Sequence, residues 1–363
     1  PAALKTALGV APGLLRGLQH RPLLDWGVNG VLRGAGQVCF MNNPLSGALF
    51  IVGLGIGMPW SYTFLGLVGL LSSTAFAALL KLSWGALRSG LFGFNGLLCG
   101  YALAVLMHGI DSSPTSSRLV FTTIGVVISS LFAVVINVAL GNMLVPLFKL
   151  PPLTLPFNFA ALSFFLAVGG AGSNFLFTPG LAPSLPTFPN ADAGAGYLGA
   201  VLFLSRSLSQ VFLNDDAVSG AIVALGFLVC SPIACAFGLA GSTVGALTGM
   251  YIGASKDAIV SGLWGYNPAL TAMAIGGMFF VLTWQSAVLA LLGAVFTAVV
   301  HGALATALRP VGMPPLTLPF CVVTATFILL QRSLPALVPV ALDTMTVPEE
   351  HRVRLHAAAE VTT

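Results

Sequence analysis

The chain has 363 residues, 57% of them hydrophobic and only 7% charged, with 14 Lys+Arg against 10 Asp+Glu. Soluble domains carry about a quarter of their residues as charged side chains, so this composition excludes a soluble enzyme and a disordered chain alike. The net charge of +4 comes from basic residues scattered singly rather than in a stripe, which also excludes a nucleic-acid partner.

Charge-free runs at 34–80, 89–110, 119–148, 150–191, 217–255, 258–308 and 310–331 together cover 253 residues. A hydrocarbon core about 30 Å thick takes roughly 20 apolar residues per helix, so the runs have room for about ten spans. The predicted fold is therefore an all-α polytopic membrane protein. Stretches such as Phe64-Leu65-Gly66-Leu67-Val68-Gly69-Leu70-Leu71 do not alternate, which argues against a membrane β-barrel. Cys39, Cys99, Cys230, Cys235 and Cys321 all lie in apolar runs and read as small hydrophobic residues, not as a disulfide framework or metal site. No cofactor is expected. The sequence opens on Pro1 with no signal-peptide pattern, so a preceding segment is expected to have been removed.

Taken in chain order, three motifs recur. Gln37-Val38-Cys39-Phe40-Met41-Asn42-Asn43-Pro44-Leu45-Ser46-Gly47 returns as Gln210-Val211-Phe212-Leu213-Asn214-Asp215-Asp216-Ala217-Val218-Ser219-Gly220, at an offset of 173. Ser89-Gly90-Leu91-Phe92-Gly93-Phe94-Asn95 returns as Ser261-Gly262-Leu263-Trp264-Gly265-Tyr266-Asn267, at an offset of 172. Leu150-Pro151-Pro152-Leu153-Thr154-Leu155-Pro156-Phe157 returns as Met313-Pro314-Pro315-Leu316-Thr317-Leu318-Pro319-Phe320, matching at seven of eight positions at an offset of 163. The order and near-constant offset define two homologous halves. The expected organisation is an N-terminal cytoplasmic segment at 1–21, a first half at 22–170, an extracellular connector at 171–194, a second half at 195–333 and a cytoplasmic tail at 334–363.

Lys5, Arg16, Arg21 and Arg33 gather at one end of the chain and Arg332, Arg352 and Arg354 at the other, whereas the connector has no Lys or Arg. The positive-inside rule then places both termini in the cytoplasm. Termini on one side and the connector on the other require an odd number of spans in each half. Five per half, with added re-entrant half helices, fits the length, and the halves are then inverted relative to one another around a central pore.

Proline inside an apolar run marks where backbone leaves helical geometry, which at membrane depth is tolerated only within protein or beside a water-filled cavity. The two Pro-Pro-Leu-Thr-Leu-Pro segments are such breaks. Each is expected to leave free carbonyls beside a threonine hydroxyl, Thr154 or Thr317. Gln37 and Gln210, long amides at equivalent places, are candidates to present donors to a passing solute, and Asn42, Asn43, Asn95 and Asn267 read first as helix caps. No acid lies between Arg33 and Asp111 or between Asp257 and Asp343, and Asp215 and Asp216 are expected at the rim. A neutral, uncoupled pathway is the simpler expectation. The alternative is an ion-coupled transporter of a small amide or other polar neutral solute, with Asp215 or Asp216 as the coupling group. No nucleophile-base pair or metal cluster appears in the repeats, so no enzymatic activity is expected.

Gly36 through Gly47, the paired Pro-x-x-Thr-x-Pro-Phe segments ending at Phe157 and Phe320, and Gly276-Gly277-Met278-Phe279-Phe280-Val281-Leu282-Thr283-Trp284-Gln285 resemble the urea transporter family. The similarity runs from about Leu24 to Pro348, and Val347-Pro348-Glu349-Glu350 resembles its vertebrate branch. The resemblance implies a passive, channel-type pathway for urea and close analogues in a plasma membrane, with a pore in each protomer of a homotrimer embedded in the lipid bilayer. It also implies site residues. Gln37, Phe40, Phe94 and Leu98 would form one mouth, Gln210, Leu213, Tyr266 and Leu270 the other, and Thr154 with Thr317 the centre. The family's glycosylation sequon is not found in the connector, since Asn190 is followed by Ala191-Asp192.

Overall fold

A computed structural model describes residues 9–18, 20–108, 114–170 and 197–362. The expected connector at 171–194, with Asn190 and Asp192, lies outside them. After a short α1 (Pro12–Leu18), the first half runs through a rod at 22–37, here α2, in which π-helical turns occupy Trp26–Leu32. It continues through α3 (Pro44–Gly57), α4 (Trp60–Leu79), α5 (Trp84–Arg88), α6 (Phe94–His108), α7 (Ser116–Phe148) and α8 (Leu155–Gly170). The second half repeats the order with α9 (Tyr197–Ser209), α10 (Ala217–Cys230), α11 (Pro232–Tyr251), α12 (Lys256–Val260), α13 (Tyr266–Met273), α14 (Trp284–Leu308) and α15 (Leu318–Leu329). A final α16 (Pro348–Thr362) follows the repeats. Each element from α9 to α15 thus answers one from α2 to α8.

Helix lengths are uneven. Four helices are each long and apolar enough to cross a bilayer: α4, α7, α11 and α14 with its 3-10 extension to Val311. The segments Val201–Phe212 and Ala217–Cys230 form a further apolar pair bent by 80°. Shorter apolar helices, α3, α6, α8 and α15, fill the space between, so the described residues hold four long apolar helices, or five counting the bent pair as one span, and the remaining apolar length lies in short rods. At 33 residues α7 is about 50 Å long, more than the hydrocarbon thickness.

Side-chain placement suits a lipid solvent. On α7 the exposed stripe is Val120, Ile124, Ile128, Phe132, Val135, Met143 and Leu147, whereas Ser129, Ser130 and Ala133 are buried. On α14 Val288, Leu292, Val295, Phe296 and Val299 are exposed and Ala290, Gly293, Ala294, Thr297 and Ala298 are buried. Large apolar residues outside and small ones inside let backbones approach closely where no hydrophobic force drives helices together.

The halves meet at α3 and α10. Ser46 Oγ donates to the carbonyl of Gly226 at 2.7 Å, and Ser219 Oγ donates to the carbonyl of Gly53 at 2.8 Å. Because Ser219 and Gly226 are the repeat counterparts of Ser46 and Gly53, the bonds are exchanged about a two-fold relation and the helices run antiparallel. Gly226 is needed at this crossing, since a Cβ there would lie 2.6 Å from the Phe50 ring. Asn43 caps α3 by accepting from the Leu45 amide at 2.8 Å, and Asp216 caps α10 by accepting from the Ser219 amide at 2.8 Å. The capping expectation holds at Asn43, and Asp216, expected at the rim, serves as a cap as well.

The tail packs back on the start of α11 and on the broken end of α13. Val281 N–H donates to the Val338 carbonyl at 2.8 Å and Val340 N–H to the Phe279 carbonyl at 2.9 Å. Glu349 accepts from Ser231 Oγ at 2.7 Å and from the Ile233 amide at 2.8 Å, placing a carboxylate at the positive end of α11. The Nδ1 of His351 donates to the Gly277 carbonyl at 2.9 Å, while its Nε2 accepts from the Thr346 amide at 2.9 Å. Burial is the main reason that the His351 imidazole is held below its usual pKa, so the neutral form is favoured.

Candidate functional site

The two proline breaks adopt the same backbone. Leu153 and Leu316 both take left-handed φ values, +53° and +47°, which cost about 1–3 kcal/mol each for a residue with a side chain. Phe40 and Leu213 are a second equivalent pair, at +64° and +58°. Strain at the same two places in each half shows that the surrounding packing imposes it.

At the breaks, Thr154 Oγ1 and Thr317 Oγ1 lie 2.6 Å apart and both residues are buried. Asn158 completes the junction. Its Nδ2 donates to the Thr154 carbonyl and to Thr317 Oγ1, each at 2.8 Å, and its Oδ1 accepts from the Thr317 amide at 3.1 Å. The counterpart of Asn158 is Cys321, whose Sγ is 3.1 Å from Thr154 Oγ1. Since Asn158 answers a cysteine rather than another amide, comparison of the halves did not find it; its spacing of four from Thr154 was the available signal.

The carbonyls expected to be free at the breaks are engaged. Those of Pro152 and Pro315 accept from the amides of Leu155 and Leu318, both at 3.1 Å, because a turn forms where the following proline cannot donate. The Leu316 carbonyl accepts from Tyr266 Oη at 2.5 Å and from Asn267 Nδ2 at 3.0 Å. Asn267 also contacts His301 Nδ1 at 3.2 Å, and Asn95 Oδ1 accepts from the Phe157 amide at 3.2 Å. These two asparagines therefore tie the Gly-aromatic-Asn segments to neighbouring elements rather than capping their own helices.

Gln37 and Gln210 make equivalent bonds, Nε2 donating to the Ser89 carbonyl at 2.8 Å and to the Ser261 carbonyl at 2.9 Å. Each bond uses an amide N–H and orients the group, so the acceptor Oε1 is the atom set for a further partner. Arg33, fully buried, braces the first glutamine segment through Nε to Asn29 at 2.9 Å and Nη1 to the Val10 carbonyl at 2.8 Å, and also donates to Asn42. Asn29 donates to Asp25, which pairs with Arg88 at 2.6 Å. In the second half Arg206 occupies the corresponding place and interacts with Asp215.

A cavity of about 50 Å³ lies between Gln210 and Thr317. Gln210, Leu213, Tyr266 and Thr317 line it with Phe157 and Leu316. One ordered water needs about 10–15 Å³ measured in this way, so the space admits a solute of a few heavy atoms. Leu270 does not line this cavity; it and Leu98 are fully buried on α13 and α6. On the other side Phe40 packs edge-on against Phe279, with centroids 5.7 Å apart, and against Phe320 at 6.0 Å. Phe94, at the start of α6, is half-buried. All five cysteines are free and buried, and the described residues contain no cluster able to hold a metal ion.

A helical array with lipid-facing apolar stripes and a buried, repeated set of backbone breaks defines an all-α polytopic membrane protein. Comparison with known proteins makes the class specific, for the profile of the family described as "Urea transporter" matches residues 28–332. The chain belongs to the urea transporter family. It is 34% identical over 357 residues to urea transporter 1 of Ovis aries and of Capra hircus, covering 97% of this chain and 90% of each relative. It is 35% identical over 340 residues to urea transporter 1 of Mus musculus, covering 93% and 85%. Membership of this family indicates a transporter of urea rather than an enzyme.

Proposed function

We propose that the protein is a passive channel for urea, carrying it down its gradient across a plasma membrane through one pore per protomer of a homotrimer. Gln37, Phe40, Phe94 and Leu98 form the first mouth, Gln210, Leu213, Tyr266 and Leu270 the second, and Thr154 with Thr317 the constriction. What supports this reading is the pair of glutamines, whose Nε2 groups are held by equivalent carbonyls and whose Oε1 atoms are then the acceptors left for a solute. Urea is flat and neutral, with four N–H hydrogens and one carbonyl, so it needs more acceptors than donors as its water is stripped. An unreplaced hydrogen bond costs about 1–3 kcal/mol on protein scales, enough to make each unmatched step a barrier.

The Phe40 mouth is assigned to the cytoplasm. Gly9 bonds at Val229 and Asn43 on that side, the tail folds against Phe279 there, and Arg332 donates to the Leu147 carbonyl beside Lys149. This gathering of cations and termini supports a cytoplasmic face under the positive-inside rule. Asp216 is occupied in capping α10, which argues against its serving as a coupling group.

Stopped-flow flux into proteoliposomes tests the reading. Urea should equilibrate much faster than glycerol and should not accumulate under a sodium or proton gradient. Gradient-driven accumulation would replace the channel with a coupled transporter, and absence of urea flux from folded protein would remove the proposed pore.

A further inference from the structure

The two mouths differ in a way the repeats do not explain. Phe40 in the first is answered by Leu213 in the second, and only Phe40 is packed by Phe279. The position 172 residues before Phe279 is Met107, buried within the continuous helix α6. Phe279 instead follows π-helical turns at Ala274–Met278, where Gly277 at φ +153° takes the chain out of helical geometry. The break is thus a property of the second half alone, and it delivers an aromatic edge to the mouth assigned to the first.

Residues outside the repeats hold that break. The Phe279 carbonyl accepts from Val340, Val281 donates to Val338, and the Gly277 carbonyl accepts from His351. Pro348 packs so closely that a Cβ on Gly277 would lie 2.6 Å from it. Phe279 also borders a second cavity of about 380 Å³, with Val145, Lys149, Ile328, Val340 and Asp343 around it. The ring is buried, and the backbone on either side of it is tied to the tail by these bonds.

We propose that Phe279 is a positioning residue for the Phe40 mouth, and that the tail segment at 338–340 holds it in place and thereby sets the width available to the solute. The inference rests on the reading of Phe40 as part of a urea pore. Phe279 itself contacts no solute; its ring packs edge-on against the Phe40 ring and limits where that ring can move.

The test is the ratio of N-methylurea to urea permeability in proteoliposomes, which a purely structural contribution to folding would not move. Phe279→Ala should raise the ratio about two- to tenfold, the span an aromatic edge contact represents as free energy. Phe279→Tyr should keep the wild-type ratio, and Val340→Pro, which deletes the N–H donated to Phe279, should shift it in the same direction as Phe279→Ala. If Phe279→Ala does not fold, Phe279→Leu serves in its place, since it keeps an apolar side chain without the ring edge. An unchanged ratio in folded Phe279→Ala or Phe279→Leu, with urea flux intact, overturns the inference while leaving the channel standing. No urea flux in the wild-type protein would overturn the channel reading and the inference together.

Discussion

Thr154 and Thr317, 163 residues apart in sequence, share a hydrogen bond of 2.6 Å at the junction of the two halves. Their hydroxyls are not equivalent, because Asn158 donates to Thr317 Oγ1 and not to Thr154 Oγ1. Thr317→Val leaves that buried amide hydrogen with only the Cys321 sulfur, a weak acceptor 3.9 Å from Nδ2, at a cost of about 1–3 kcal/mol. Thr154→Val leaves the Asn158 bond in place and should cost less. Thermal melts in detergent should rank the variants in this order, and flux should fall sharply in the double variant while it still reaches the membrane. Unchanged flux in the folded double variant would remove the threonines from the pathway.

Tyr266→Phe deletes the hydroxyl that donates to the Leu316 carbonyl at 2.5 Å. Asn267 still donates to the same carbonyl, so the expected loss is only about 1 kcal/mol. Phe94, the counterpart of Tyr266, lacks a hydroxyl already, which makes the change one that this backbone accommodates. Stability measurements should show the small loss, and urea flux should change because a carbonyl beside the cavity gains a free lone pair.

At the α3–α10 crossing, Gly226→Ala should destabilise more than Gly53→Ala. The added methyl meets the Phe50 ring at 2.6 Å in the first case and Ile222 at 3.0 Å in the second. Overpacking of this kind costs about 1–3 kcal/mol. Melting temperatures of the two purified variants test the ranking, and equal values would contradict the packing described for Phe50.

The tail should loosen in acid. His351 is held below its ordinary value of 6.5, first by burial and also by Arg354, against the opposing effects of the Gly277 carbonyl, Glu350 and Glu349. The depressed value means that neutral His351 contributes stability above pH 6.5, and that this contribution is lost as pH falls through the lower folded-state value. Protonated Nε2 can no longer accept from the Thr346 amide. Protection factors at Val340 and Thr346, taken relative to the intrinsic exchange rate at each pH, should fall on acidification, and His351→Gln should weaken that dependence.

Much of this architecture is legible in the sequence because the chain states it twice. The proline breaks, the glutamines and the capping residues Asn43 and Asp216 are all visible as repeated motifs, and apolar run length identifies the membrane class. What the motifs conceal is how polar groups pair. Thr154 and Thr317 read separately as donors to a solute, yet they bond each other. Pro152 and Pro315 read as sources of free carbonyls, yet the amides of Leu155 and Leu318 satisfy them. The tail was least legible, since Val338, Val340 and His351 have no counterparts and make their bonds to residues distant in sequence.

The exchanged serine bonds between α3 and α10 also bear on motion. Rocking one half against the other would have to break Ser46–Gly226 and Ser219–Gly53 together and withdraw Phe50 from the face of Gly226. A hinge concentrates its displacement in a few compliant residues, whereas this contact would shear along its whole length. The central seam therefore behaves as a strut that resists movement of one half against the other.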